Sequence, residues 1–522
     1  MDQQEPREPH PTVNPWVLAV TVMSCTFMEI LDTTIVNVSL PHIAANLSAT
    51  TEEATWVLTS YLVSNAIVLP MTGWLANYFG RRRLLITAVA GFTASSFLCG
   101  FAPNLTFLVI CRIIQGAAGG NLQPQTQAVL WETFPVEKRG KAMGFLGLGF
   151  VTAPLLGPLV GGWITENYSW RWVFYINIPV GIISILLLSR FLFDPPYVRR
   201  SSKRIDFWGI GLLVVSIGAF QMMLDKGQLE DWFTSDLIRG LATVAVVGLA
   251  VFVLHELLAE NPIVNLRVFK IRTYAAGVTL IMVIGFVLYG SMVLLPLMLQ
   301  TAMGYPAIQA GIATAPRGLG SLVAMPLAGA LTARFDNRKL LVFGLALASA
   351  SMFAFALLNL DAGYWDLFWP QVVQGFALAF VFVPLTVITM APIAREATGN
   401  ATSIYSLMRN VGASVGIAAV ATWLGRGQQQ HMNYLASHVS AYDPQTIRMA
   451  ENIRAQLMAR GSQAFSPEQQ SYSVLFNLVR RQAGLLSFLD IYWVLGTMFA
   501  LLIPLVFLMK RPVPKRNKVA VH

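Results

Sequence analysis

GWLANYFGRRR, residues 73–83, returns in altered form as GALTARFDNRK, residues 329–339. Gly73, Leu75, Phe79 and Arg82 fall on Gly329, Leu331, Phe335 and Arg338 in a single register. The echo continues downstream. RIIQG (112–116) aligns with QVVQG (371–375), which places Gln115 and Gly116 on Gln374 and Gly375, and Gly157 and Gly161 recur as Gly412 and Gly416. Each pair lies about 255–259 positions apart. Three motifs in one order at nearly one offset indicate a duplicated unit rather than chance likeness among glycine-rich segments. Parallel repeats of this kind are a transporter architecture, with the site near the bilayer midplane where the halves meet.

The material between the motifs is membrane-like. Of 522 residues, 55% are hydrophobic and 12% charged, and the mean hydropathy is +0.59. A soluble chain carries about 25% charged residues, so there is too little polar surface here for a water-exposed fold. At about 20 residues per crossing, spans are expected near 16–40, 54–76, 84–102, 106–126, 141–164 and 171–192. Two follow near 206–224 and 237–258. The last six lie near 274–299, 307–332, 339–360, 367–390, 399–424 and 486–509. The expected fold is therefore an all-α polytopic membrane protein. It has a six-helix bundle in 1–195, two inserted helices with their linkers in 196–272, and a second six-helix bundle in 273–522.

Charge sets the orientation. Alternate short loops carry Arg81/Arg82/Arg83, Lys138/Arg139/Lys141, Arg199/Arg200/Lys203/Arg204, Arg267/Lys270/Arg272 and Arg334/Arg338/Lys339. The tail 510–522 adds five more bases, whereas the opposite loops hold mainly Arg171 and Lys226. Basic loops stay inside, so both termini are expected in the cytoplasm. The net charge of +10 is thereby spent on topology, and no basic patch points to nucleic acid. Cys25, Cys99 and Cys111 lie in apolar runs without a CxxC pair and read as packing residues. The polar, Pro-rich start has no cleavable signal pattern. The segment 427–485 is expected as a polar outer loop with helices of its own, one opened by Asp443-Pro444 and stopped at Gly461, another opened by the box Ser466–Gln469; a flexible spacer is the alternative.

Five charges interrupt the spans: Glu29, Asp32, Arg112, Arg317 and Arg409. Each costs at least about 2.5–3.5 kcal/mol at the bilayer centre unless it faces a partner or a cavity. Glu29 and Asp32, three residues apart, share one helix face. Counting about 1.5 Å per residue from the outer ends of spans 1 and 4 brings Asp32 and Arg112 to similar depths. A buried carboxylate prefers its proton, while a nearby guanidinium favours the ionised form. A group balanced between the two can load a proton on one side and release it on the other. A purely structural ion pair uses the same residues. Arg317 and Arg409 balance the acids, contact substrate or serve packing. Pro154, Gly157, Pro158, Gly161 and Gly162 allow span 5 to bend and its neighbours to approach closely. The six histidines are scattered, with no HExxH and no phosphate loop, so no enzyme constellation is visible.

These stretches resemble the major facilitator superfamily, and within it the fourteen-span drug:proton antiporters of the EmrB/QacA type, most nearly the Gram-negative EmrB branch. The resemblance covers nearly the whole chain. It rests on LDTTIVNVSLP (31–41), GWLANYFGRRR (73–83), RIIQG (112–116), GFVTAPLLGPLVGG (149–162), WRWVFYINIPVG (170–181), NPIVNLRVFK (261–270) and SLMRNVGASVG (406–416). It implies proton-driven export of hydrophobic or amphipathic drugs across the inner membrane by alternating access. In relatives the matching Asp of span 1 serves proton coupling, a role carried here to Asp32 with Arg112 as its partner. Many relatives have an uncharged residue in place of Glu29, which is read as a second proton-coupling site or a counter-charge for cationic substrates. Asn37, Gln115, Arg317, Gln374 and Arg409 are candidates to face the cavity. Gly73, Asn77, Gly80, Arg81 and Arg82 would form the cytoplasmic gating loop, and 154–162 the antiporter motif. The implied partners are a periplasmic, EmrA-like adaptor and an outer-membrane channel. The implied energy source is the proton gradient, with no cofactor or metal. The family usually has Asp where this chain has Asn77, so an ion-paired lock there is not expected. A dedicated exporter of one metabolite or siderophore would share the fold. A non-transporting receptor or an enzyme is the remote alternative.

Overall fold

A computed structural model describes residues 14–194, 205–440, 442–459 and 467–509, and every regular element among them is helical. Hydrocarbon offers the backbone no hydrogen-bond partners, so an apolar run that crosses it must satisfy its own amides, as a helix does. Among the described residues thirteen helices are long and apolar enough to cross. Spans 1–6 are Pro15–Asn46, Glu52–Phe79, Arg81–Phe101, Leu105–Thr133, Val136–Asn167 and Trp172–Phe191. Spans 7 and 8 are Phe207–Lys226 and Asp236–Leu258, and span 9 is Arg272–Thr301. Spans 11 and 12 are Asn337–Ala356 and Tyr364–Met390, span 13 is Arg395–His438, and span 14 is Gln469–Val506. Span 10 completes fourteen but is broken into Ala307–Thr314 and Pro316–Leu331. Pro316 has no amide hydrogen and its ring crowds the preceding turn, so the helix restarts there. Arg317 is the next residue.

The same neighbours recur in each half. Span 1 packs on spans 5 and 6, span 2 on span 4, and span 3 on spans 4 and 6. Correspondingly, span 9 packs on spans 13 and 14, span 10 on span 12, and span 11 on spans 12 and 14. The inserted spans 7 and 8 pack on each other, and span 7 touches span 2 on one side and span 13 on the other. Thr59 donates to Asp225 in the first contact, and Gln221 Nε2 donates to Ser414 at 3.0 Å in the second.

The halves approach each other through glycine at their cytoplasmic ends. A Cβ on Gly73 would lie 2.6 Å from the Asn400 amide nitrogen. On Gly329 it would lie 2.8 Å from the Gly140 carbonyl, and on Gly144 2.7 Å from the Met325 carbonyl. No side chain fits those gaps, so these positions hold the cytoplasmic ends of the halves together.

The outer side differs from the sequence reading. Span 13 does not stop near 424 but runs unbroken from Thr398 to His438, and the last helix begins at Pro467. The expected loop 427–485 is thus largely the outward continuation of two spans, with the separate helix Pro444–Ala459 against the second. Packing explains the extension: a Cβ on Gly427 would touch Ser487 at 3.3 Å, and His431 Nε2 lies 2.7 Å from Asp490 Oδ2. At 1.5 Å per residue the 41 residues of Thr398–His438 reach about 61 Å, twice the hydrocarbon thickness of about 30 Å. Asp443 opens the outer helix as expected. Its carboxylate accepts from the Thr446 amide at 3.0 Å and the Thr446 hydroxyl at 2.9 Å, which holds it below the usual aspartate range. The expected stop at Gly461, the start of the box at Ser466, the bases at 199–204 and the tail 510–522 lie outside the described residues.

Candidate functional site

Asp32 has no exposed surface, and three donors converge on it. Arg112 Nη1 donates to Oδ2 at 2.6 Å, Gln115 Nε2 to Oδ1 at 3.1 Å, and Asn177 Nδ2 to Oδ1 at 2.7 Å. The donors come from spans 4 and 6. Arg112 is equally buried. Its Nη1 also reaches Gln115 Oε1 at 2.8 Å, its Nε donates to the Val57 carbonyl at 3.0 Å, and its guanidinium lies 4.1 Å from the Tyr61 ring centroid in span 2. Asn177 also donates to Ser96 Oγ at 3.0 Å, which fixes its amide and ties in span 3. The two depths argued from sequence thus meet in one ion pair. Desolvating two charges is costly, and only dense hydrogen bonding of this kind offsets it. Arg112 Nη2 still has no partner among the described residues.

Glu29, one turn inward, is 4% exposed and belongs to a different group. Its Oε1 accepts from Asn65 Nδ2 at 3.0 Å, while Oε2 has no hydrogen-bond partner among the described residues. Gln123 lies beside it, and Arg409 of span 13 donates from Nη2 to Gln123 Oε1 at 2.5 Å. Arg409 also sits 4.6 Å from the Phe150 ring centroid. A chain of polar contacts therefore crosses from span 1 of the first half to span 13 of the second. Glu29 and Arg409 do not touch directly. Gln123 is the intermediary, and nothing in the sequence pattern marked it.

The second half holds its own polar group. Arg317 Nε donates to Gln371 Oε1 at 3.2 Å and Nη2 to Gln374 Oε1 at 2.5 Å, and Gln374 Nε2 donates to Ser291 Oγ at 3.2 Å. The repeat explains the arrangement. Gly116 packs against the Tyr61 carbonyl and Gly375 against the Arg317 carbonyl. Gln115 and Gln374 occupy equivalent places, and Gln371 stands where Arg112 stands. Ser291 follows Asp32 at the offset that separates the two glutamines (291 − 32 and 374 − 115, both 259).

The remaining sequence candidates divide. A Cβ on Gly157 would lie 2.1 Å from Thr34 Oγ1, and one on Gly161 3.1 Å from the Ile35 carbonyl. Span 5 is thus pressed onto span 1 two or three residues beyond Asp32, while Pro154 and Pro158 lie inside its helix. Gly162 meets no neighbour. Asn37 is exposed and takes no part in the Asp32 group. In the cytoplasmic loop, Gly80 has φ +86°, a left-handed conformation that suits glycine. Arg81 grips Glu132 with both terminal nitrogens. The Arg82 amide donates to Asp194 Oδ1 at 2.8 Å. Asn77 is exposed, and the contact with span 13 next to it is the glycine packing of Gly73. Tyr61, Asn177, Asn65, Gln123 and Gln371 were missed in the sequence. Asn177 had one available signal: an amide within the otherwise apolar start of span 6.

The sequence matches the Major Facilitator Superfamily over residues 22–417. The chain belongs to that superfamily. Within it the chain is of the EmrB type. It is 34% identical to the "Multidrug export protein EmrB" of Escherichia coli (strain K12) over 514 residues, 98% of each chain. It is 38% identical to the "Fatty acid resistance protein FarB" of Neisseria gonorrhoeae over 507 residues, 95% of this chain and 96% of that one. Among solved structures it is similar to the human organic anion transporter MFSD10 (TETRAN), at TM-score 0.61 and 13% identity, covering 95% of this chain and 100% of that one. The proton:xylose symporter XylE superposes at TM-score 0.59 and 16% identity, covering 94% and 95%. At such identities the structures show the fold alone. This facilitator is a multi-pass membrane transporter.

Proposed function

We propose that the protein exports hydrophobic and amphipathic toxic compounds, drugs included, across the inner membrane in exchange for protons. The observation that carries this reading is the Asp32–Arg112 pair, wholly buried and bound by spans 1, 2, 4 and 6. An ionised Asp32 holds Arg112, Gln115 and Asn177 together. A protonated Asp32 offers weaker acceptors and loosens all three, so proton occupancy changes how four helices of the first half fit each other. That is a differential interaction with two conformations, which coupling requires. The cytoplasmic glycine contacts correspond to a state closed to the cytoplasm, from which a proton would enter from outside. The names of the EmrB and FarB relatives support the substrate class.

The test is Asp32→Asn, which keeps shape and most hydrogen bonds. In reconstituted vesicles with an imposed pH gradient, the variant should insert normally and show no gradient-driven efflux. Transport at the wild-type rate would overturn the role.

The outward helices support a second part of the reading, in which the transporter is the inner-membrane member of a tripartite system. Ile447, Met449, Ile453, Leu457 and Met458 of the outer helix, with Arg448 and Arg454, would meet a periplasmic adaptor leading to an outer-membrane channel; Arg460 of the same stretch lies outside the described residues. Replacing 443–461 by a Gly/Ser linker should lower resistance in whole cells and leave vesicle transport intact. Equal loss in both assays would assign the segment to folding or to the transport cycle.

A further inference from the structure

The Arg317 group is short of acceptors. An arginine carries five N–H donors, of which Arg317 uses two, on Gln371 and Gln374. Among the described residues no carboxylate pairs with it. Two further donors of the group also lack a partner among the described residues: Gln371 Nε2, on a side chain with no exposed surface, and the hydroxyl of Tyr492, which is 1% exposed. Tyr492 is within electrostatic range of the guanidinium. The arginine itself fixes the glutamines, because an amide turns its oxygen toward a cation and leaves its nitrogen free to donate elsewhere.

Buried donors without acceptors are costly, and more so when charged. The first half shows how such a group is satisfied, since there Asp32 accepts from the equivalent glutamine. In the second half the equivalent position is Ser291, so among the described residues no carboxylate supplies the balancing negative charge. Unlike its glutamine partners, Arg317 keeps part of its surface accessible. Its neighbour Gly318 packs against Leu155 of span 5, which sets the group at the seam between the halves. Met352 Sδ, 4.0 Å from Gln374 Nε2, and the Phe355 ring, stacked on Tyr492 at 5.1 Å, provide apolar wall.

We infer that Arg317, Gln371 and Tyr492 form an anion site in the second half that takes the carboxylate of an amphipathic acid. The missing ligand is a single negative charge with hydrogen-bond-accepting oxygens, which a carboxylate supplies and which a guanidinium binds through paired N–H groups. An apolar remainder is required because the site lies within the membrane-spanning helices. Exporting such an acid rests on the efflux reading above; the binding site does not.

The experiment pairs two probes with one tail and opposite heads, dodecanoate and dodecyltrimethylammonium. Binding of each to the purified full-length protein in nanodiscs is measured by calorimetry against empty nanodiscs, with sodium chloride titrated separately. Charge-assisted hydrogen bonds contribute about 1.5–3 kcal/mol, so Arg317→Gln should weaken dodecanoate binding about 10- to 100-fold and leave dodecyltrimethylammonium unchanged. Arg317→Lys should recover part of the loss, and Tyr492→Phe should weaken dodecanoate several-fold. Equal weakening of both probes by Arg317→Gln, or no saturable dodecanoate binding to the wild type, would overturn the site. Chloride binding that depends on Arg317, with dodecanoate unaffected by the substitution, would also overturn it in favour of an inorganic anion. If dodecanoate binds through Arg317 but a pH gradient does not drive its transport, the site stands and the export reading falls.

Discussion

The two halves use one scaffold for two electrostatic solutions. In the first, Asp32 and Arg112 neutralise each other inside a cage of amides, with Tyr61 beneath the guanidinium. In the second, the arginine has moved to the Tyr61 position, glutamine stands in place of the old arginine, and serine in place of the acid. The glycine–carbonyl packing that sets the helix separation is retained in both. A duplicated fold can therefore keep its close-packing residues while dividing charge between its copies: one closed on itself, the other needing a counter-charge from elsewhere.

The sharpest test of that contrast is stability. Arg112→Ala strands a buried carboxylate, and breaking such a pair costs about 3–5 kcal/mol. Thermal unfolding in nanodiscs should show that loss together with abolished efflux. Adding Asp32→Asn to the same chain should restore most of the stability and none of the transport, and a double variant as unstable as the single one would mean the two residues do not act as a unit. Arg112→Lys should retain partial transport, since the charge survives and the forked geometry does not.

The asymmetry can also be reversed. Ser291→Asp gives the second half its own carboxylate within reach of Gln374 and the Arg317 group. Dodecanoate binding should fall about tenfold or more, as an internal acid competes for the guanidinium, with dodecyltrimethylammonium held or strengthened. Unchanged dodecanoate binding would show that the two positions are not interchangeable.

Smaller effects refine the first half. Asn177→Leu deletes one of three donors to Asp32, for which about 2 kcal/mol is expected for a hydrogen bond to a charged group. Unfolding measurements should detect it, along with slowed efflux. Glu29→Gln should be milder still, because the amide keeps the contact with Asn65. Its loss should fall on cationic substrates more than on neutral or acidic ones. A uniform loss across substrate charges would assign Glu29 to proton handling instead.

Much of this was legible before any coordinates. Fourteen apolar runs, a repeat at nearly one offset and two charges at matched depth lead directly to the fold and to the Asp32–Arg112 pair. Each is a one-dimensional quantity, namely length, register or depth. Lateral neighbours are not. Asn177 reaches Asp32 from span 6 because of how spans 1, 3 and 6 rotate against each other, and no spacing in the sequence encodes that rotation. Gln123 and Gln371 were invisible for the same reason. The stretch GRGQQQHMNYLASH (425–438) misled in another way. Its polarity reads as loop, yet Gly427 is where span 14 comes close, and that packing carries the helix on.

That continuation makes span 13 a lever. Thr398, at one end, lies among the cytoplasmic contacts of Gly73 with Gly399 and Asn400, while His438 closes the other, outer end. No proline interrupts the 41 residues between. A rigid rod of about 61 Å, rotated by about 10° at its inner end, swings its tip by roughly 10 Å. Opening the cytoplasmic seam would in this way be felt at the outer tip within the same stroke. Anything seated on that tip would be pushed in time with each turnover.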